Sequence, residues 1–307
     1  MNLYESIQDF KDAIITTSAY YNVSPSIVEK DYFVTIILKK LNEKIPGIMF
    51  KGGTSLSKCY KVINRFSEDI DLTLDVSHFT QSNKRNANKR ILESCDELGF
   101  TIENRDVVEN HSHGNYNCYY IRYPVSFDDS NINPFIKLEM VFMQKSYPDD
   151  VKPVCSLIGE YLEEIDKKHI INEYNLEPFK IKTQSLERTF IDKIFALCDY
   201  YLLNEQLRQS RHIYDLYQLS FAVEWKNMKD LIDDVREERS KSHMCLSASE
   251  HNDVSMILKE IVDTNFFKKD YEDVTMKLLN KKISYNDAVA ILLDVSKEGL
   301  FSVHKSI

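Results

Sequence analysis

Apolar residues recur at helical spacing twice before residue 41, first as Leu3, Ile7, Phe10 and Ile14, then as Ile27, Tyr32 and Ile36. Ser24-Pro25 lies between the two runs and supplies a capping hydroxyl and a first-turn proline, so the pattern predicts two helices at the start of the chain. From residue 45 to about 143 the period alternates between strand and helix. The apolar run Ile48-Met49-Phe50 ends in Gly52-Gly53, and beyond it Leu56, Cys59, Tyr60 and Ile63 share one helical face. That order reads as strand, glycine turn, helix. Asp69-Ile70-Asp71-Leu72-Thr73-Leu74 alternates strictly, the period of a strand with one buried face. Residues 86–98 read as a helix, and 119–127 and 135–143 as strands rich in aromatic and β-branched side chains. Beyond about Lys182 the pattern is almost wholly helical. The sequence therefore predicts an α+β fold, with a mixed sheet flanked by helices over residues 1–182 and a C-terminal helical bundle domain over 183–307.

Composition narrows the class. A chain of 307 residues with 43% hydrophobic content can bury substantial cores, and 7 Gly and 7 Pro leave no low-complexity linker. No apolar stretch approaches the roughly 20 residues that span a bilayer, and the opening MNLYESIQDFKD lacks a leader pattern, so a cytoplasmic protein without a membrane partner is expected. The 6 cysteines are scattered without a CxxC pair, as in packed, reduced thiols. A net charge of −9 argues against nonspecific coating of nucleic acid but leaves room for a local basic groove.

Two motifs carry candidate chemistry. In Gly52-Gly53-Thr54-Ser55 the glycines let the backbone approach a phosphate at a helix start; the alternative is a tight connection and nothing more. Asp69 and Asp71 are two apart in a strand, so both carboxylates point to one face while Ile70, Leu72 and Leu74 point to the core. Hard oxygen ligands at that spacing suit Mg2+, unless the face is simply solvated. Glu139 completes a carboxylate triad if its strand neighbours that of the aspartates, and is otherwise an exposed strand residue beside Lys137.

The order of these motifs makes the chain recognisable. Phe50-Lys51-Gly52-Gly53-Thr54-Ser55-Leu56-Ser57-Lys58, continued by Arg65-Phe66-Ser67-Glu68-Asp69-Ile70-Asp71-Leu72, resembles the first motif of the AbiEii/AbiGii toxin family in the DNA polymerase β-like nucleotidyltransferase superfamily. Val28-Glu29-Lys30-Asp31-Tyr32 resembles the family's N-terminal helix and Lys137-Leu138-Glu139 its second motif. Leu186 to Lys193 resembles the third, and Arg211-His212-Ile213-Tyr214-Asp215-Leu216-Tyr217 the fourth. The resemblance spans roughly residues 28 to 220, with Asp192 standing where the family commonly has Glu and His212 where many members have Asp.

The resemblance implies a nucleotidyltransferase-type sheet and an NTP as substrate. It implies Mg2+ or Mn2+ at Asp69, Asp71 and Glu139, with the superfamily's two ions about 3.5–4 Å apart. Gly52, Gly53, Thr54, Ser55 and Lys58 are the implied nucleotide-binding residues, and Lys193 adds positive charge to the triphosphate from the helical domain. Asp215 orients Lys193 or assists proton transfer. From the residues alone Lys193 is equally a stem covering the apolar stripe Leu186, Phe190, Ile194, Leu197 with its ammonium in solvent. The implied biology is the toxin of a toxin–antitoxin or phage-defence system, with a cognate antitoxin and a tRNA acceptor. Transfer onto a protein and a non-catalytic nucleotide-binding or inhibitory protein are the competing readings. Two further features read as ordinary surface: the loop His111-Ser112-His113 with Cys118, and the basic run Arg239 to His243 beside Glu237-Glu238. Arg208 and Arg211 stand closer to the fourth motif.

Overall fold

The computed structural model describes residues 1–75, 81–110, 114–129, 132–143 and 148–302. The chain divides into two compact units, Met1–Tyr60 with Ser67–Gln184 and Lys61–Phe66 with Ser185–Ile307.

The first unit opens with α1 (Ile7–Tyr21) and α2 (Pro25–Lys44), and the Ser24 side chain caps α2 by accepting from the Ile27 amide. Then follow β1 (Met49–Lys51), α3 (Gly52–Lys58), β2 (Ile70–Asp75), α4 (Gln81–Glu97), β3 (Thr101–Ile102), α5 (Arg105–Asn110), β4 (Tyr116–Arg122) and β5 (Phe135–Met143). β6 (Asp149–Val154), α6 (Leu157–Glu164), α7 (Lys168–Glu173) and β7 (Phe179–Gln184) complete it. The strands form one seven-stranded mixed sheet in the order β3-β4-β5-β2-β1-β7-β6. β2 runs antiparallel to β1 and parallel to β5. Ile70, Leu72 and Leu74 of β2, Leu138 and Met140 of β5 and Phe33, Ile37 and Leu38 of α2 belong to one buried cluster. Each such side chain contributes roughly 1.5–3 kcal/mol on burial, which fixes which face of β2 and β5 points inward.

Three consecutive residues of α2 tie this core to the segments around the aspartates. The buried Glu29 carboxylate accepts from the Ser126 amide at 2.8 Å and the Phe127 amide at 3.2 Å. Lys30, wholly buried, donates to the carbonyls of Asn133 (2.8 Å) and Phe135 (2.9 Å). Its ammonium also forms an ion pair with Glu68 Oε2 at 2.5 Å. Asp31 binds Lys58 of α3 and accepts from the Leu157 amide at the start of α6 at 2.7 Å.

The structure departs from the sequence pattern in places. α3 stops at Lys58, and Lys61 takes a left-handed φ of 55°, so Ile63 is buried outside any helix. β4 spans Tyr116–Arg122 rather than 119–127, because Tyr119 and Ile121 are its buried positions and their alternation extends back to Asn117.

The second unit is helical: α8 (Leu186–Leu202), α9 (Arg211–Leu219), α10 (Lys229–Arg239), α11 (Val254–Asp263), short turns between 268 and 278, and a C-terminal helix, Tyr285–Glu298. α8 is central and buries Phe190, Ile191, Ile194, Phe195, Leu197 and Cys198. The segment Lys61–Phe66 is held in this unit by a bridge between Arg65 and Leu279. Among the described residues no helix is long and apolar enough to cross a membrane, and no disulfide joins the cysteines.

Candidate active site

Because β2 commits Ile70, Leu72 and Leu74 to the core, Asp71 emerges on the opposite face. Strand register sets its neighbours. Asp71 lies opposite Glu139 on β5 and opposite Lys51 on β1, and Glu139 lies opposite Cys118 on β4. Asp69 immediately precedes β2, and its charge acts on Asp71 as well. Burial, then repulsion from Glu139 and Asp69, pushes the Asp71 carboxyl up to about 7. Glu139 moves the other way. Burial alone would raise it, but the Lys137 ammonium at 2.5 Å and the Tyr116 hydroxyl, which donates at 2.8 Å, hold it below its ordinary range. The pair thus retains one proton near neutrality, a charge cluster that a cation would relieve. No group of three His, Cys, Asp or Glu among the described residues forms a metal cage by itself. Mg2+ in general takes one or two protein carboxylates and fills its shell with phosphate oxygens and water.

Gly52 is bound to this cluster sterically. Its φ is +78°, and a Cβ there would sit 1.9 Å from Asp71 Oδ2. A left-handed backbone and a carboxylate pressed against it both demand glycine. Within α3 the Ser55 hydroxyl donates back to the Gly52 carbonyl at 2.9 Å, and Thr54 Oγ1 lies 2.9 Å from Ser67 Oγ. Thr54, Ser55 and Lys58 are buried, and the Lys58 ammonium is engaged by Asp31. The side chains of Ser55 and Lys58 therefore brace the turn, and what stands beside Asp71 is the backbone at Gly52.

In the helical unit, Lys193 of α8 donates to Asp215 Oδ2 at 2.7 Å. Arg65 grips the same carboxylate with Nε on Oδ1 and Nη2 on Oδ2, each at 2.7 Å. Burial works to raise the Asp215 carboxyl, but Arg65 and Lys193 outweigh it and hold the group well below the usual carboxylate range. Burial lowers Lys193, opposed by Asp215. The ammonium does not reach solvent as the stem-over-stripe alternative expects: Lys193 is 6% exposed and paired with Asp215. Burial, with Lys193 and Arg211 adding repulsion, keeps the nearby His212 imidazole neutral well below its ordinary range.

The family profile "Nucleotidyl transferase AbiEii toxin, Type IV TA system" matches residues 36–298. The chain belongs to the AbiEii nucleotidyltransferase toxin family. Among solved structures it resembles MenT4, a nucleotidyltransferase toxin from Mycobacterium tuberculosis H37Rv, with a TM-score of 0.51 and 13% identity over 93% of this chain and 89% of that one. At that identity the likeness is one of fold. No curated protein sequence matches.

The AbiEii match runs past residue 220 through most of the C-terminal helices, which the motif resemblance alone left out, and begins after Glu29-Lys30-Asp31. Of the motif residues, the first unit brings together Asp69, Asp71, Glu139 and the Gly52 turn, and the second brings together Lys193 and Asp215. Arg65, Lys137 and Tyr116 join these clusters without having been singled out as site residues. Arg65 and Lys137 stood inside quoted motifs; Tyr116 had no signal short of the register. Asp192 is taken up by Arg188 and Arg239, so Arg239 turns inward rather than presenting a basic surface. His111, Ser112 and His113 lie outside the described residues.

Proposed function

We propose that this AbiEii-family toxin uses Mg2+ or Mn2+ to transfer a nucleoside monophosphate from an NTP onto an RNA hydroxyl, with tRNA as the acceptor. Its setting would be the cytoplasm and phage defence, and a cognate antitoxin follows from the type IV family. The observation that carries the metal requirement is Asp71, held beside Glu139 and against the Gly52 backbone with a proton that a cation would displace.

Asp69, Asp71 and Glu139 would hold the ion. Bound there, it would neutralise triphosphate charge and lower the pKa of the attacking hydroxyl. The residues themselves do the positioning. The Gly52-Gly53-Thr54 turn presents backbone without obstructing side chains where phosphates must approach the carboxylates, with Ser55, Ser67 and Lys58 keeping that turn rigid. Lys137 and Tyr116 keep Glu139 ionised and fixed in direction. Asp215 and Arg65 orient Lys193, which we retain as a catalytic cation. In the reaction the acceptor oxygen bonds to the α-phosphorus, the bond from that phosphorus to pyrophosphate breaks, and the hydroxyl proton passes to solvent water. Catalysis on this reading is alignment and charge stabilisation.

Incubating the protein with α-32P-labelled NTPs, cellular RNA and lysate protein tests the proposal. Label in RNA of tRNA size is expected. Label in protein alone would make it a protein nucleotidyltransferase, and label in neither would leave a binding protein.

A further inference from the structure

An in-line displacement at phosphorus has two sides, with the leaving group and the attacking hydroxyl opposed. The strand order β4-β5-β2-β1 gives each side an address. The Gly52 turn lies at the end of β1, on one side of Asp71, so a triphosphate held there directs its pyrophosphate that way. The nucleophile must then come from the other side, over β5 and β4.

The open face of those strands is unusual. On β4 the core takes Asn117, Tyr119 and Ile121, which leaves Tyr116, Cys118, Tyr120 and Arg122 on the Asp71 face. Tyr116 is 53% exposed, and its hydroxyl donates to Glu139, so the ring is fixed next to the carboxylates. Tyr120 lies opposite Lys137, half-buried, and meets the ring of Phe135 edge-on at 5.2 Å between centroids. The Tyr120–Phe135 pair stabilises the sheet across its strands, and the half-buried Tyr120 and exposed Tyr116 rings also offer flat surfaces beside the acidic cluster. The cations are already matched, Lys137 by Glu139 and Arg122 by Glu103. With a net charge of −9 as well, this surface suits a ligand held by stacking more than by phosphate neutralisation.

We propose that the β4–β5 face is an acceptor cradle that stacks unpaired bases at the end of an RNA strand on Tyr120 and Tyr116, delivering a terminal ribose hydroxyl to the Asp71–Glu139 pair. Every base has a face to offer an aromatic ring, whereas bases inside a duplex are closed to it. The cradle rests on the transfer reading above and adds the form of the substrate, a single strand.

Binding of a fluorescein-labelled single-stranded RNA oligonucleotide is to be measured by anisotropy without NTP, alongside the same oligonucleotide annealed into a blunt duplex. The single strand is expected to bind more tightly than the duplex and with a shallow salt dependence. Tyr120→Ala should weaken it about tenfold, from the loss of one base stack, while Tyr120→Trp restores it. In transfer assays Tyr120→Ala should raise the KM for RNA by a similar factor, with affinity for each Mg2+–NTP and the thermal melt little changed. Equal RNA affinity and KM in Tyr120→Ala, or preference for the duplex, overturns the cradle. So does failure of Tyr120→Trp to rescue. Absence of labelled RNA with the wild-type protein instead overturns the transfer reading itself, as does label confined to protein.

Discussion

Asp71 is partly buried beside two other carboxylates, and the proton it keeps until about pH 7 links metal binding, stability and steric fit at one residue. Since a metal ion must displace that proton, Mg2+ affinity should rise about tenfold per pH unit up to the region of the Asp71 titration and level off above it. Calorimetric titrations between pH 6 and 8 measure this, and a flat profile would dissociate Asp71 from the ion. Stability carries the opposite sign. A carboxyl raised in the folded state contributes stability that is full below its unfolded pKa near 4 and is lost as pH rises through about 7. Asp71→Asn should therefore stabilise the metal-free protein at pH 8 by roughly 1–2 kcal/mol, about 3–6 °C in Tm, with the difference fading toward pH 5. Gly52→Ala forces a methyl group to within 1.9 Å of Asp71 Oδ2 at a left-handed backbone position. Displacing the carboxylate by about 1 Å should lower activity on the order of 100-fold with far-UV circular dichroism preserved.

At the scale of elements, register converts two separate motifs into one site. Glu139→Gln removes the negative neighbour that helps raise Asp71, so the midpoint of the pH dependence of metal binding should move to lower pH. An unmoved midpoint would mean the two carboxylates do not communicate. The sequence disclosed β2 and β5 because each has one buried face and alternates without interruption, and it disclosed that Asp69 and Asp71 share a side. It could not disclose that Glu139 is the residue opposite Asp71, since pairing depends on how 67 intervening residues fold back; the register Asp71↔Glu139 supplies that. The limits of α3 and β4 were misplaced where tertiary burial of Ile63 and Asn117 competed with local periodicity. β6 and β7 went unpredicted, although Phe179-Lys180-Ile181-Lys182-Thr183 alternates, because Pro153 and the lysines dilute the apolar signal.

Across the whole molecule, the two compact units each carry part of the AbiEii signature. In the helical unit Arg65 and Asp215 are 150 positions apart, a partnership no local pattern could announce. Because Arg65 makes two bonds to Asp215 and Lys193 one, Lys193→Met should cost about 1–2 kcal/mol of stability and Arg65→Met about 3–5 kcal/mol. Denaturant melts rank the two, and equal losses would contradict the order. The central claim is that the carboxylates around Asp71 make this toxin a metal-dependent transferase. Its most direct test is the rate at which label from α-32P-NTP enters RNA, compared between the wild type with Mg2+, the wild type with EDTA, and Asp71→Asn with Mg2+. The account predicts transfer in the first alone, with Asp71→Asn folded but at background; transfer by Asp71→Asn at the wild-type rate, or by the wild type in EDTA, would contradict it.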